Sequence, residues 1–354
     1  MSFTTTSYAA PAAGAPLEEY QLTRRDLGPD DVHIAIEFVG ICHSDIHTVR
    51  GDWGPRSYPL VPGHEIIGRV KALGSEVKNF KIGDRVGVGC FVNSCGQCAA
   101  CQAGEESYCA TGPTPTYGGV DKYSLEKYAE GEVTQGGYAK DIVTKAHFVV
   151  PIPEHLDAAS AAPLLCAGIT TYSPLKHWGV SKDTRVGIIG MGGVGHVAVK
   201  IAAAMGAEVT VFGHSESKRD DALAFGAKAY VSTKDPKFLE EYKEHFDVIL
   251  NTTSVNLDMN EYMNLLAFDG TMVIIGLPGE PLGAMARTFT QRRRSLAGSL
   301  VGGIPETIEM LNFCADHKVT PEIEIIPPSQ INEAYDRTLA SQVRYRFVID
   351  MSKA

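Results

Sequence analysis

The sequence has no run of apolar residues that approaches the roughly 20 residues a membrane-spanning helix needs. It is also short of cations, with 32 Lys and Arg against 42 Asp and Glu and a net charge of −10. A protein that binds nucleic acid needs a basic face, so this charge balance argues against nucleic acid as a partner. The N-terminal residues lack the basic start and apolar core of a signal peptide. We therefore expect a cytoplasmic protein.

The composition is that of a folded protein with two domains. At roughly 150 residues per domain, 354 residues predict two. The eight cysteines are too unevenly spread for a disulfide framework, because four of them lie between positions 95 and 109. In a reducing compartment such crowding indicates metal binding. We expect Cys90 and Cys314 to be packing residues without a function.

The two halves of the chain have different hydrophobic patterns. The first 155 residues contain short apolar runs broken by Gly and Pro, such as DVHIAIEFVG, which predict antiparallel strands. Residues 93–138 have little periodicity, which predicts a lobe without a hydrophobic core of its own. Such a lobe needs a crosslink to stabilise it. From residue 156, strands and helices alternate with short connections, which predicts an α/β domain with a parallel sheet.

A glycine-rich turn follows the strand TRVGIIG and precedes a helix. It satisfies G-x-G-x-x-G with Gly190, Gly192, Gly193, Val194 and Gly195. Such a turn lets a pyrophosphate approach the free N–H groups at the start of the helix. The context of strand and helix favours dinucleotide binding over a purely structural turn.

The tip of the next strand indicates which dinucleotide binds. An NAD site normally has Asp or Glu there, and Glu208 comes too early in the strand. The tip is instead Gly213, His214 and the hydroxyl-bearing Ser215, and the cations Lys218 and Arg219 lie one turn into the helix. These groups favour the 2′-phosphate of NADP, although Lys218 and Arg219 could simply be solvated helix charges. Gly213→Asp combined with Lys218→Ala should then weaken NADPH binding and improve NADH binding.

Two sets of residues suggest metal sites. Four thiols in a short loop fit a structural zinc, with an iron–sulfur cluster as the alternative: Cys95, Cys98, Cys101 and Cys109. The second set, Cys42, His64 and Cys166, is dispersed, and no member is diagnostic alone. Two cysteines and one histidine with a fourth position open are the ligands of the catalytic zinc in alcohol dehydrogenases.

The chain resembles the zinc-dependent medium-chain alcohol dehydrogenases, because their motifs occur here in the same order. These motifs are GICHSDIH, PGHEIIG, GDRVGVG, the four-cysteine run, LLCAGIT and GMGGVG. Within that family the chain is similar to the cinnamyl-alcohol-dehydrogenase branch and its bacterial NADPH-dependent aldehyde reductases, a match that SLAGSLVGGIPET and RYRFVID extend.

The resemblance implies a fold, an assembly and a reaction. The fold would be a GroES-like, β-rich catalytic domain at residues 1–155 and 298–354, with an NADP-binding Rossmann domain at 156–297 and a structural zinc lobe at 93–138. The reaction would transfer hydride between NADP(H) and a primary alcohol or its aldehyde, over a broad range of aliphatic and aromatic aldehydes. Two zinc ions per chain and a homodimer are also implied.

The resemblance also implies roles for single residues. Cys42, His64 and Cys166 would hold the catalytic zinc, and Glu65 matches a glutamate that can approach the metal when substrate is absent. Asp45 would orient the zinc-bound histidine. The proton relay would run through Ser44, the nicotinamide ribose hydroxyl and His47. The NADP contacts would include Thr170, His214, Ser215 and Lys218.

Two other functions are alternatives to this one. A zinc-free quinone or enone reductase of the same superfamily would keep the glycine turn but lack Cys42, His64 and Cys166, all of which are present. A non-catalytic zinc module that binds nucleic acid would need more positive charge than this chain carries.

Overall fold

The computed structural model describes residues 2–123 and 133–354, so residues 124–132 of the predicted lobe lie outside the described residues. The chain forms two compact units. The split unit consists of Met1–Cys166 and Gly302–Ala354, and the inserted unit consists of Ala167–Val301. The domain boundaries expected from the sequence, 155/156 and 297/298, remain predictions.

Strands supply the sheets of both units. In chain order they are β1 (Phe3–Ala9), β2 (Glu18–Arg24), β3 (Asp31–Gly40), β4 (Ile66–Leu73), β5 (Arg85–Val88), β6 (Phe91–Asn93), β7 (Thr114–Pro115), β8 (Asp141–Lys145), β9 (Val149–Pro151), β10 (Arg185–Ile189), β11 (Glu208–Gly213), β12 (Ala229–Ser232), β13 (Phe246–Asn251), β14 (Leu266–Ile274), β15 (Ser295–Gly298), β16 (Ile323–Ile326) and β17 (Arg346–Asp350).

In the split unit, the helices that precede the inserted unit are short, and the longer helices lie in its C-terminal part. In chain order they are α1 (His43–Arg50), α2 (Ala99–Gln102), α3 (Ala158–Ala161), α4 (Ala167–His177), α5 (Gly195–Ala204), α6 (Arg219–Ala224), α7 (Phe238–Glu241), α8 (Met259–Tyr262), α9 (Ala286–Thr290), α10 (Ile304–Asp316) and α11 (Ile331–Leu339). Among the described residues, none of the helices combines the length and the apolar character that a membrane crossing requires.

The split unit is built around a seven-stranded sheet. Its order is β16-β17-β3-β4-β5-β9, and β8 also pairs with β3. The long strand β3 buries Val32, Ile34 and Ile36 on one face, as an alternating pattern requires. The C-terminal strand β17 lies antiparallel to the end of β3. Residues from both ends of the chain therefore complete one sheet and one core.

A buried carboxylate connects the cysteine-rich lobe to α10. Glu106 is only 3% exposed, and its Oε2 accepts a hydrogen bond from the N–H of Ile304, the first residue of α10, at 3.0 Å. Its Oε1 lies 2.6 Å from His147 Nε2. A negative charge at the start of a helix satisfies a free N–H and opposes the positive end of the helix dipole.

The inserted unit contains a six-stranded sheet in which all neighbouring strands are parallel. The strand order is β12-β11-β10-β13-β14-β15. The chain therefore winds outwards from β10 in one direction and then from β13 in the other. Sheets of this doubly wound kind bind ligands outside the carboxyl ends of the strands where the direction reverses. The predicted α/β fold is confirmed, and the glycine turn follows β10 at that point.

The contact between His147 and Glu106 predicts a pH-dependent stability. Hydrogen bonding to the carboxylate raises the pKa of His147, although burial opposes the effect. A raised pKa in the folded protein stabilises it at low pH, and this contribution is lost as the pH rises through the raised value. We expect His147→Gln to lower the melting temperature more below about pH 6 than above about pH 9.

The exposed His155 offers a matched control, since His155→Gln changes the same atoms without a carboxylate partner among the described residues. Thermal melts followed by circular dichroism at both pH values would measure the difference. An equal loss at both pH values for His147→Gln would contradict the prediction.

Candidate metal centres and dinucleotide site

Four side chains from three segments of the split unit meet at one buried point. One potential ligand atom from each of Cys42, His64, Glu65 and Cys166 lies within 4.8 Å of the others, and we call this set the open cluster. The Sγ atoms of Cys42 and Cys166 are 4.0 Å apart. Zn–S bonds of about 2.3 Å in a tetrahedron place two sulfurs about 3.8 Å apart. The spacing of the thiols therefore fits a zinc ion.

Cys166 reaches this cluster from a break between two helical segments. The Ala-rich stretch from residue 157 forms α3, then a 3₁₀ turn at Ala162–Leu165, and α4 begins only at Ala167. Pro163 lies in the 3₁₀ turn and has no N–H to donate to a preceding turn. Cys166 sits between the two helical segments with φ −125° and ψ −72°, outside the helical region.

Asp45 lies behind the open cluster and is fully buried in α1. Its Oδ1 lies 3.0 Å from His64 Nδ1 and accepts the N–H of Gly63 at 3.1 Å. Its Oδ2 accepts the N–H of Cys42 at 2.8 Å and the hydroxyl of Tyr138 at 3.4 Å. A carboxylate at Nδ1 fixes the proton there, which leaves His64 Nε2 to bind a metal.

Glu65 is held by an arginine from the last strand. Arg346 in β17 is 4% exposed, and its Nη2 donates to Glu65 Oε1 at 2.5 Å. The other oxygen, Oε2, is buried and has no hydrogen-bond partner among the described residues. A Cβ on Gly40 would lie 1.9 Å from this oxygen, so only glycine leaves room for it. An unsatisfied buried carboxylate oxygen beside two thiols suits a cation.

The charges around the open cluster set the protonation of its members. A hydrogen bond from Cys166 lowers the pKa of Cys42 far below its ordinary value, and His64 lowers it further. Burial lowers the pKa of His64, but the charges of Asp45 and Cys90, together with hydrogen bonds to Asp45 and Cys42, raise it well above the ordinary value. Burial also raises the pKa of Glu65 to about 7, against the attraction of Arg346. Since metals bind thiolate and neutral imidazole, metal binding here would release a proton.

Ser44 and His47 occupy the same helix as Asp45, on the first and last turns of α1. Ser44 Oγ lies 3.5 Å from Cys42 Sγ, beside the cluster. His47 is more exposed, stacks on Trp53 with ring centroids 5.2 Å apart, and has its Nδ1 2.8 Å from Asp52 Oδ2. Within the described part of the chain, no hydrogen bond joins Ser44 directly to His47, so a relay would need a group between them.

The four cysteines of the lobe form a second group, which we call the closed cluster. Its four Sγ atoms lie within 4.8 Å of one another. Cys101 Sγ is 3.5 Å from Cys98 Sγ and 3.8 Å from Cys95 Sγ, as one tetrahedral ion requires. The N–H of Ala110 donates to Cys98 Sγ and is the main cause of the lowered pKa of that thiol. Four thiolates leave no position for a substrate, which suits a structural zinc.

The glycine turn has the shape that a bound pyrophosphate requires. Gly190 follows β10 in the left-handed region, at φ +88°. A Cβ on Gly195 would lie 2.1 Å from Gly190 O, so this glycine allows α5 to approach the strand. A Cβ on Gly192 would meet nothing within 4 Å, so Gly192 faces open space. The turn continues through Gly193 and Val194 into α5. The three glycines thus match the three roles of the dinucleotide motif.

The residues predicted to contact NADP lie near this turn or on α4. Lys218 Nζ donates to Met191 O at 2.8 Å, which brings a cation to the glycine turn. His214 and Ser215 are exposed immediately after β11. Thr170 is half-buried on α4, the helix that follows Cys166. Gly213, His214 and Ser215, the described residues at the tip of β11, include no acidic side chain.

The Gly213→Asp substitution suggested by the sequence does not fit the structure. A Cβ at this position would lie 2.1 Å from Tyr230 Oη, closer than any real side chain tolerates. The sequence gives no sign of this contact, because Tyr230 comes from the neighbouring strand β12.

Two residues near the open cluster were missed by sequence reasoning. In the sequence, Arg346 is part of an ordinary strand pattern. The one signal that could have identified it is a charge inside an apolar run. Cys90 was expected to be a packing residue, yet a hydrogen bond with Cys166 lowers its pKa. Cys314, by contrast, is fully buried in α10.

Comparisons with known proteins were consistent across sequence and structure. Family models for an alcohol dehydrogenase GroES-like domain and a zinc-binding dehydrogenase match residues 28–154 and 193–316. The chain is 55% identical to NADP-dependent alcohol dehydrogenase C of Mycobacterium bovis over 349 residues, 99% of each protein. It is 46% identical to aldehyde reductase YahK of Escherichia coli, over 96% of each. A solved cinnamyl alcohol dehydrogenase from Sorghum bicolor matches with TM-score 0.94 and 39% identity, over 99% of each chain.

The hydrogen bonds of Asp45 predict its effect on metal affinity. Asp45→Asn removes the negative charge that orients His64 and accepts the N–H groups of Cys42 and Gly63. Loss of such a partner typically weakens metal binding by about 10–100-fold. We expect this loss in competition with a chromophoric zinc chelator, and Asp52→Asn, an exposed change just after the same helix, serves as control. Unchanged zinc affinity in Asp45→Asn would show that the carboxylate does not support the ligands.

Proposed function

The chain belongs to the family of zinc-binding alcohol dehydrogenases and is an oxidoreductase, and from that premise we propose a specific reaction. The protein transfers hydride between NADP(H) and a primary alcohol or its aldehyde, and it accepts a broad range of aliphatic and aromatic aldehydes. The names of its relatives, an NADP-dependent alcohol dehydrogenase and an aldehyde reductase, support both the cofactor and the substrate class.

The observation that carries this proposal is the pair of unlike cysteine clusters. The closed cluster has four thiols and no free position, whereas the open cluster has two thiols, one imidazole and a carboxylate with an unsatisfied oxygen. A catalytic zinc needs three protein ligands and an exchangeable fourth position, and a structural zinc needs four. A zinc-free reductase would not require Cys42, His64 and Cys166 to lie close together.

Bound zinc would supply a Lewis acid that polarises the substrate oxygen, and bound NADPH would supply the hydride. The protein's own residues do the rest. Cys42, His64 and Cys166 bind the metal, and Asp45 orients His64 through Nδ1. Arg346 holds Glu65 by one oxygen, so that the other can approach the metal when no substrate is present. Ser44 and His47 would pass a proton between the substrate oxygen and water, with the nicotinamide ribose hydroxyl between them.

The inserted unit would bind NADP(H). The N–H groups of the glycine turn, Gly190–Gly195, receive the pyrophosphate at the start of α5. His214, Ser215 and Lys218 contact the 2′-phosphate, where hydroxyl and cationic groups complement its charge. Thr170 contributes a further hydroxyl to the cofactor.

Assembly and location complete the proposal. The strand β15 pairs only with β14 among the described residues, so its outer edge can pair with a second copy to form a homodimer. None of the eight cysteines, all of which lie among the described residues, forms a disulfide, and this agrees with the cytoplasmic location that we propose.

The two clusters should respond differently to the loss of one thiol. The wild type should bind two zinc ions per chain and reduce aldehydes with NADPH in preference to NADH. Cys42→Ser should lose activity while the protein stays folded. Cys98→Ser should lower the melting temperature, because a structural zinc contributes folding energy. Elemental analysis, melting curves and initial rates on a panel of aliphatic and aromatic aldehydes measure these effects.

Cys314→Ser, a change at a buried thiol outside both clusters, serves as a control that should keep both zinc ions. A zinc content of one or none in carefully prepared wild-type protein would overturn the two-site proposal. Absence of aldehyde reduction with either cofactor would overturn the reaction.

The proton pathway gives a separate prediction. A hydroxyl by itself cannot supply net protons, whereas the half-buried imidazole of His47 can exchange them with water. His47→Gln should keep zinc content and cofactor affinity but lower kcat and flatten its pH dependence, since acid–base help of this kind contributes about 10²–10⁴-fold. Ser44→Ala should cost more, because Ser44 is next to the open cluster. Wild-type turnover and pH profile in His47→Gln would remove this histidine from the pathway.

A further inference from the structure

A tyrosine of the inserted unit fills the space beside the tip of β11. The three atoms nearest to a Cβ on Gly213 all belong to Tyr230: Oη at 2.1 Å, Cζ at 2.6 Å and Cε2 at 2.9 Å. Gly213 ends a strand, in extended backbone that any residue adopts. The phenol, and not backbone conformation, therefore excludes a side chain at this position.

The phenol is fixed in this place by its own contacts. Tyr230 is 4% exposed, and its Oη donates to Ser215 O at 2.5 Å. Arg219 Nη1 donates to Tyr230 O at 2.7 Å, and the guanidinium lies 5.2 Å from the ring centroid. Burial raises the pKa of Tyr230, so the hydroxyl stays protonated and can donate. Moving the ring aside would break the hydrogen bond to Ser215 O and the contact with the Arg219 guanidinium.

The same hydroxyl positions the segment that would meet the 2′-phosphate. Ser215 O, the acceptor of Tyr230 Oη, belongs to the residue that precedes the 3₁₀ turn Glu216–Lys218. At the end of this turn, Lys218 Nζ reaches the glycine turn through Met191 O. The hydrogen bond of Tyr230 therefore fixes the start of this turn, and the hydrogen bond of Lys218 fixes its end.

Taken with the NADP(H) dependence proposed above, on which it rests, this geometry points to a second determinant of cofactor choice. We propose that Tyr230 is a specificity-determining positioning residue. Its ring occupies the volume in which the carboxylate of an NAD site would bind the adenosine ribose hydroxyls. Its hydroxyl holds Ser215 and the following turn in place for the 2′-phosphate. The pair Gly213–Tyr230 therefore both excludes the NAD arrangement and supports the NADP one.

The test uses adenine fragments that lack nicotinamide, so binding is read without the reaction or the zinc. Adenosine 2′,5′-bisphosphate probes the 2′-phosphate, and 5′-AMP probes the rest of the adenosine. Their dissociation constants are measured by calorimetry in the wild type, in the single variants Tyr230→Phe, Tyr230→Ala and Gly213→Asp, and in the double variant Gly213→Asp/Tyr230→Ala. Tyr262→Phe, the same change elsewhere in the inserted unit, is the matched control.

Loss of one hydrogen bond should weaken the bisphosphate in Tyr230→Phe by about fivefold to tenfold and leave 5′-AMP nearly unchanged. Gly213→Asp alone should weaken both probes, because its side chain collides with the phenol. In the double variant the collision is removed, so 5′-AMP and NADH should bind more tightly than in either Gly213→Asp or the wild type. The substitutions at 213 and 230 should therefore be strongly non-additive.

The results that would overturn the NADP(H) dependence differ from those that would overturn the role of Tyr230. A wild type that binds 5′-AMP as tightly as the bisphosphate would overturn the NADP(H) dependence itself. A wild type that prefers the bisphosphate, with unchanged binding in Tyr230→Phe or additive effects in the double variant, would overturn the role of Tyr230 alone. Where thermal melts show that a Gly213→Asp variant does not fold, Tyr230→Phe decides the question.

Discussion

A fully buried carboxylate, that of Asp45, joins the two loops that carry Cys42 and His64. It accepts the N–H at the start of α1, the N–H of Gly63 and the Nδ1 proton of His64. A buried charge is tolerated only when hydrogen bonds replace the lost water, and here each contact that stabilises Asp45 also positions a ligand. The stability of this part of the split unit and the geometry of the open cluster therefore depend on the same interactions.

The two cysteine clusters differ in how their charge is balanced. The closed cluster lies in a half-exposed lobe, where backbone N–H groups and solvent stabilise thiolates. The open cluster is buried, so its charges need partners: Arg346 for Glu65, and Asp45 for His64. Two thiolates from Cys42 and Cys166 would balance a divalent cation. Hydrogen bonds with Cys42 and Cys90 raise the pKa of Cys166, so metal binding would displace the proton of this thiol.

Features with partners close in the chain could be predicted from the sequence. The four-cysteine run, the glycine turn and the alternation of strands and helices are local patterns, and the fold and family that they indicated are confirmed. The roles assigned to single residues remain predictions. Sequence reasoning missed Arg346, which lies 281 positions from Glu65, because no local pattern encodes that contact. It missed the obstruction at Gly213 for a similar reason: parallel pairing of β11 with β12 brings Tyr230 to that strand tip.

The position of β17 also has a consequence for the order in which the protein is made. The inserted unit has all six of its strands by residue 298, whereas the split unit needs β17, from Arg346 to Asp350. During synthesis from the N-terminus, the nucleotide-binding sheet can therefore close first. Until residues 346–350 leave the ribosome, the edge of β3 at Phe38–Gly40 lacks its partner strand and Glu65 lacks its arginine. Before β17 has paired, the nascent chain therefore has an open edge on β3 and a Glu65 carboxylate without a positive partner.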